Sequence, residues 1–395
     1  MIRTNQNRKP LLHLLPLLVL LTIASLEFML LLRHKSPYMS DSYFYKHIFY
    51  EMQGDTYSEA HTKILSQLDV GKLSEIEQNL FFNPDKYEYS LSRYIRRPLY
   101  PFVAVLVNGL VKNEYLAFLL PALVSFLGCI IITYLLFQLR FDWFWTSFGT
   151  ALFIGFYPFL DWSTYFLTDT IGAFFWMLQI FLISKYLQKP SRSLLITYVI
   201  AMVISLLNRE QSVLMSAVVV ILFASTKIFQ VKSDQIKASK NLIVPTIGIT
   251  VLFLVFSTLM KFPSLYDSWI YLQSDFGFKT LEYTPIETAL FLGHELVRLH
   301  SGLVADLVRH RWWLLFTILG FIGTYWVFIK EKKPWYIDTL MFASAVAAYL
   351  GLIIVPYLTY RYFFPTIISL IYFGMYALNS FFYRQKHTGI KAEKA

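Results

Sequence analysis

Asp41 follows the first apolar run, 11–32, after a short polar stretch, and it opens the aromatic segment Asp41-Ser42-Tyr43-Phe44-Tyr45. A carboxylate beside rings suited to a headgroup layer is a candidate general base. Further ionisable residues recur where apolar segments end: Arg96-Arg97, Asp161, Asp169, Arg209-Glu210 and Arg361. Charge at such positions is expensive and marks functional candidates. A forked guanidinium at Arg96, Arg97 or Arg361 suits an anionic headgroup.

Each candidate also has a plainer reading. Asp41 could be a solvated loop carboxylate, and Asp169, at the start of a helix in Leu167-Thr168-Asp169-Thr170, could cap open backbone amides. The arginines at the water boundary could be snorkelling anchors. Arg209 and Glu210 could pair with each other across their turn. His294, Glu295, His300 and His310 share one loop, but their spacing matches no compact ligand motif, so His294 and Glu295 are weak metal candidates only.

The elements that must position these groups are helices in a membrane. Hydrophobic residues make up 56% of the chain and charged ones 15%, and apolar runs near twenty residues recur throughout. That composition is of the all-α polytopic class. The aromatic share, 18%, exceeds what interfacial belts need, so part of it is expected to line a cavity or an interfacial loop. The net charge of +10 does not indicate nucleic acid, because the Lys and Arg residues cluster between apolar runs, where they orient helices. With Cys129 as the lone cysteine, neither an intrachain disulfide nor a thiolate metal cluster can form.

The apolar runs after the first are 98–112, 115–138, 143–160, 164–184, 193–208, 211–226, 241–260, 312–329, 336–355 and 362–383. The run 98–112 is too short for a hydrocarbon core of about 30 Å and is expected to lie on the interface. Leaving it out gives about 10 spans with both termini cytoplasmic. Arg140, the segments 185–192, 227–240 and 330–333, and the tail 384–395 then all fall inside. Counting it as a span would turn several of these outward.

In that topology the chain is one membrane domain, 1–395, with two long extracytoplasmic loops, 33–114 and 261–311. The first loop reads as amphipathic interfacial helices over 42–52, 58–68 and 73–82, followed by a Tyr- and Arg-rich stretch to Arg97. The candidate site residues collect on this same face. No internal repeat is visible.

The order of these pieces resembles the GT-C superfamily of membrane glycosyltransferases, especially the branch of protein mannosyltransferases and lipid A aminoarabinose transferases. The resemblance rests on Asp41 soon after the first helix, Arg97-Pro98-Leu99-Tyr100-Pro101 in the first loop, Leu167-Thr168-Asp169, and Arg361-Tyr362-Phe363-Phe364-Pro365. It implies a GT-C-like bundle that moves a hexosyl or pentosyl group from a polyprenyl- or dolichyl-phosphate carrier to a hydroxyl of a glycan, lipid or protein acceptor. It further implies inversion, with Asp41 as base. Asp169, Tyr45 and Glu210 would bind or orient the acceptor, and Arg361, Arg97, Arg96 and Arg209 would hold the lipid phosphate. No cofactor is required on this reading, although a divalent metal stays open.

The rival class is a transporter or flippase of lipid-linked saccharides. It would want polar groups at the midplane and paired repeats, neither of which the sequence shows. The outer loops carry no Asn-x-Ser/Thr sequence, which leans toward a bacterial plasma membrane over the endoplasmic reticulum.

Overall fold

The computed structural model describes residues 10–274, 283–309, 311–356 and 364–392. The first long helix is α1 (Pro10–His34). Five short helices follow: α2 (Ser40–Met52), α3 (Tyr57–Gln67), α4 (Glu75–Phe82), α5 (Pro84–Ile95) and α6 (Leu99–Val111). The bundle continues with α7 (Glu114–Gln138), α8 (Trp143–Ile154), α9 (Tyr157–Ser163), α10 (Thr168–Gln188), α11 (Arg192–Asn208), α12 (Met215–Ile228) and α13 (Ser233–Leu259). Then come α14 (Leu265–Gln273), α15 (Pro285–Arg309), α16 (Arg311–Tyr325), α17 (Tyr336–Ile354) and α18 (Phe364–Ala392).

Eight segments of the described chain are long and apolar enough to cross a membrane, so this is a polytopic all-α membrane protein. The 17-residue α11 is apolar but shorter. The run 143–160, expected as one span, is instead broken into α8 and α9. Gly155 ends α8, Phe156 leaves helical geometry, and Pro158 opens α9. A proline in the first turn and a glycine behind it favour a new start over a continued helix.

The short helices of 40–95 form because their caps are written locally. Thr56 with Glu59 and Ser74 with Glu77 make reciprocal capping boxes on α3 and α4. Asn83 caps α5, whose first residue is Pro84. The three amphipathic helices expected here match α2, α3 and α4 closely. α5 was not expected as a helix, yet it buries Tyr87 and Leu91 against the others. α6 is a separate 13-residue helix that ends at Lys112 in left-handed geometry before Asn113 caps α7. At about 1.5 Å per residue it spans roughly 20 Å and cannot cross a bilayer.

Two contacts fix which ends of the bundle lie together. Lys35, just beyond α1, pairs with Asp161 of α9 at 2.7 Å, and the Phe166 amide donates to the Pro37 carbonyl at 2.9 Å. The start of α10 therefore sits beside the end of α1. At the opposite end Arg140 lies 3.4 Å from the buried Asp338, which also accepts from Tyr372 at 2.5 Å. α16 and α18 pack tightly where Gly323 meets the Phe373 backbone: an added Cβ would lie 1.9 Å from its carbonyl oxygen. Small residues that let backbones approach are a common device for helix packing in lipid.

Candidate functional site

The candidate residues converge where α1 ends. Asp41 is the second residue of α2, and its Oδ1 accepts a hydrogen bond from the Tyr94 hydroxyl at 2.7 Å. Tyr94 comes from α5, and it is held by stacking on Phe44 with ring centroids 4.7 Å apart and planes within 10°. Burial, and then the Asp41 charge, raise the Tyr94 hydroxyl well above the usual phenol range. It therefore stays protonated and donates.

One turn along α2, the buried Tyr45 packs edge-on to Tyr94 at 5.2 Å. Its hydroxyl lies 3.0 Å from Thr168 Oγ1 and accepts from Arg97 Nη1 at 3.4 Å. Tyr45 thus joins the first loop to the start of α10, next to Asp169.

Arg97 grips Glu210 with two parallel bonds, Nε to Oε2 at 2.9 Å and Nη2 to Oε1 at 2.5 Å. Arg96 adds Nη2 to Oε1 at 2.8 Å and donates from Nη1 to the Pro263 carbonyl at 2.9 Å. Such fork-on-carboxylate geometry fixes both partners in orientation. Asp169 pairs with Arg209, and both side chains are almost fully buried. Asn208 Nδ2 donates to the Thr168 carbonyl at 3.0 Å, anchoring the end of α11 to α10.

The pairing of Arg209 with Glu210 does not form. Arg209 has extended backbone, φ −161° and ψ 124°, which sends adjacent side chains to opposite sides. Capping by Asp169 does not form either: the cap position is Leu167 without a side-chain bond, and Asp169 lies inside the first turn facing Arg209.

Arg361, with the rest of 357–363, lies outside the described residues. Phe364 and Pro365 just beyond it line a narrow cleft together with Asp169, Gly172, Trp176 and Arg209. His294 is 76% exposed on α15, and Glu295 accepts from Arg298 Nε at 2.9 Å. Among the described residues no three His, Cys, Asp or Glu side chains are grouped to hold a metal ion.

The sequence alone gives no role to Tyr94, Thr168, Asn208 or Arg93. Arg93 sits 3.9 Å from the Tyr271 ring and donates to the Asp267 carbonyl at 2.7 Å, fastening α14 over α5. The spacing of Tyr87, Leu91 and Tyr94 by four and three was the available signal for a buried helical face. Arg96 and Arg97 share the Glu210 carboxylate, Arg209 pairs with Asp169, and, against the cost of burial, the positive charges of Arg93 and Arg96 help hold Asp267 below the usual carboxylate range.

Fold and site together define a polytopic membrane protein with a centre of paired arginines and carboxylates at one end of its helix bundle. Residues 96–262 match the model of the family described as dolichyl-phosphate-mannose-protein mannosyltransferase, of GT-C type. Over that stretch the resemblance read from the sequence is borne out. The match supports a membrane glycosyltransferase drawing on a polyprenyl-phosphate sugar donor. It takes in Arg96, Arg97, Asp169, Arg209 and Glu210, while Asp41 and Tyr45 precede it and Arg361 follows. No curated protein and no solved structure matches the chain.

Proposed function

We propose that the protein is an inverting glycosyltransferase that moves a sugar from a polyprenyl-phosphate carrier to an acceptor hydroxyl, with Asp41 as general base. The acceptor oxygen attacks the anomeric carbon, the bond from that carbon to the phosphate oxygen breaks, and the proton passes to Asp41. The lipid phosphate departs as a stable anion and needs no acid. A positioned base of this kind contributes about 10² to 10⁴ in rate.

The observation that carries this reading is the Asp41 carboxylate, oriented by Tyr94 at 2.7 Å and tied through Tyr45 to the Arg97 guanidinium. Arg97, Arg96 and Arg361 would neutralise the departing phosphate, an electrostatic contribution made before the charge develops. Glu210 would hold Arg96 and Arg97 in place. Asp169 and Arg209 would shape the cleft under Phe364 and Pro365, toward the acceptor. In this reading the chain is a single membrane domain in a bacterial plasma membrane, with the site on the extracytoplasmic side.

Transfer by the purified protein from a panel of radiolabelled polyprenyl-phosphate monosaccharides, with a membrane extract as acceptor source, tests the assignment and identifies the sugar. A labelled product from one donor supports it. Donor bound without transfer, together with flipping of a lipid-linked saccharide in vesicles, points to the transporter class instead.

A further inference from the structure

At the end of the bundle away from Asp41, α10, α11 and α13 part to leave an open cavity of about 470 Å³. It is lined by Tyr186, Leu195, Lys240, Asn241, Ile243 and Val244. Tyr186 lies seventeen residues along α10 from Asp169, roughly 25 Å at the helical rise. This cavity is therefore distinct from the candidate catalytic centre.

Its walls are graded. Leu195, Ile243 and Val244 are apolar, and Val244 is 79% exposed on the side of α13 facing away from the core. Toward the helix ends the lining turns polar, with the Tyr186 hydroxyl, the Asn241 amide and the Lys240 ammonium. One turn further out, each of the three elements carries a cation: Lys189 beyond Tyr186, Arg192 before Leu195, and Lys237 before Lys240. The segments 185–192 and 233–241 hold five basic residues and one acid, Asp234. None of those five cations makes an ion pair among the described residues.

An apolar cavity wall of Leu195, Ile243 and Val244 beside cations without ion pairs among the described residues suits an anionic lipid. We propose that this groove binds a single anionic phospholipid, its phosphate among Lys189, Arg192, Lys237 and Lys240 and an acyl chain along Leu195, Ile243 and Val244. Basic pockets between membrane helices are suited to anionic headgroups, and each Lys or Arg near the headgroup adds to the attraction. The cost of leaving five like charges together is thereby relieved. The assignment stands on this groove alone and does not depend on the reaction at Asp41.

The test is native mass spectrometry of the purified protein titrated with dioleoylphosphatidylglycerol or dioleoylphosphatidylcholine. One phosphatidylglycerol should be retained in preference to phosphatidylcholine. The triple variant Lys189→Gln, Arg192→Gln, Lys237→Gln should weaken that retention roughly tenfold or more. Neutralising Lys330, Lys332 and Lys333, at the same end of the bundle, should leave it unchanged. Val244→Trp, which fills the apolar side of the cavity and keeps every charge, should also abolish it, with a circular dichroism melt confirming that the variant is folded. Equal retention of the two lipids, equal loss in both triple variants, or full retention by folded Val244→Trp would each overturn the proposal.

Discussion

The Tyr94 hydroxyl donates to Asp41 Oδ1 at 2.7 Å, across fifty-three residues of chain. This contact orients the carboxylate proposed as the base, and it joins α5 to α2, where Tyr94 also stacks on Phe44. Tyr94→Phe keeps the ring and removes the donor. It should lower kcat by about ten- to a hundredfold, the worth of a hydrogen bond to a charged group, while KM for the donor lipid changes little. An equal rise in KM with kcat intact would place Tyr94 in donor binding instead.

Asp169 and Arg209 form a buried ion pair. Asp169→Asn removes this carboxylate from a guanidinium in a low-dielectric site, and the expected loss is about 3–5 kcal/mol of stability. The double variant Asp169→Asn, Arg209→Gln should recover a large part of that loss. Thermal melts of the three variants in detergent check this, and an additive double variant would show that the two side chains act independently.

Gly323 is required by the approach of α16 to α18, because an added Cβ would stand 1.9 Å from the Phe373 carbonyl oxygen. Gly323→Ala should cost about 1–3 kcal/mol through forced separation of the helices. Gly248, with nothing within 4 Å of an added Cβ, provides the control, and Gly248→Ala should be neutral or slightly stabilising.

His47 supplies a pH dependence. Burial, and then the neighbouring His61, push its ring down to about 4 from the ordinary 6.5, and its Nδ1 lies 2.9 Å from the Tyr87 hydroxyl. Glu51 Oε1 lies 3.5 Å from the other ring nitrogen, Nε2. The folded value lies below the unfolded one, so the stability this ring contributes is complete above about 6.5 and is lost as pH falls toward about 4. The melting temperature should drop over that window, and His47→Gln should flatten the drop.

The parts of this structure legible in the sequence are those with local causes. The capping boxes at Thr56 and Ser74 announce α3 and α4, and the length of the apolar runs announces most of the bundle. The break within 143–160 was also written, in Gly155 and Pro158, but apolar composition masked it. The partners of adjacent charges were not legible. Arg209 and Glu210 separate to Asp169 and to Arg96 with Arg97, choices set by backbone direction and by contacts 40 and more than 110 residues away. The gathering of Asp41, Tyr45, Arg97 and Asp169 at one end follows from topology, whereas Tyr94 as the residue holding Asp41 required the packing of α5.

The most direct test of the central claim is single-turnover transfer by wild type and Asp41→Asn, with binding of the polyprenyl-phosphate sugar measured alongside. Donor binding should be retained while the rate of transfer falls by about 10² to 10⁴. A variant that binds donor and transfers at the wild-type rate would contradict the assignment of Asp41 as the base.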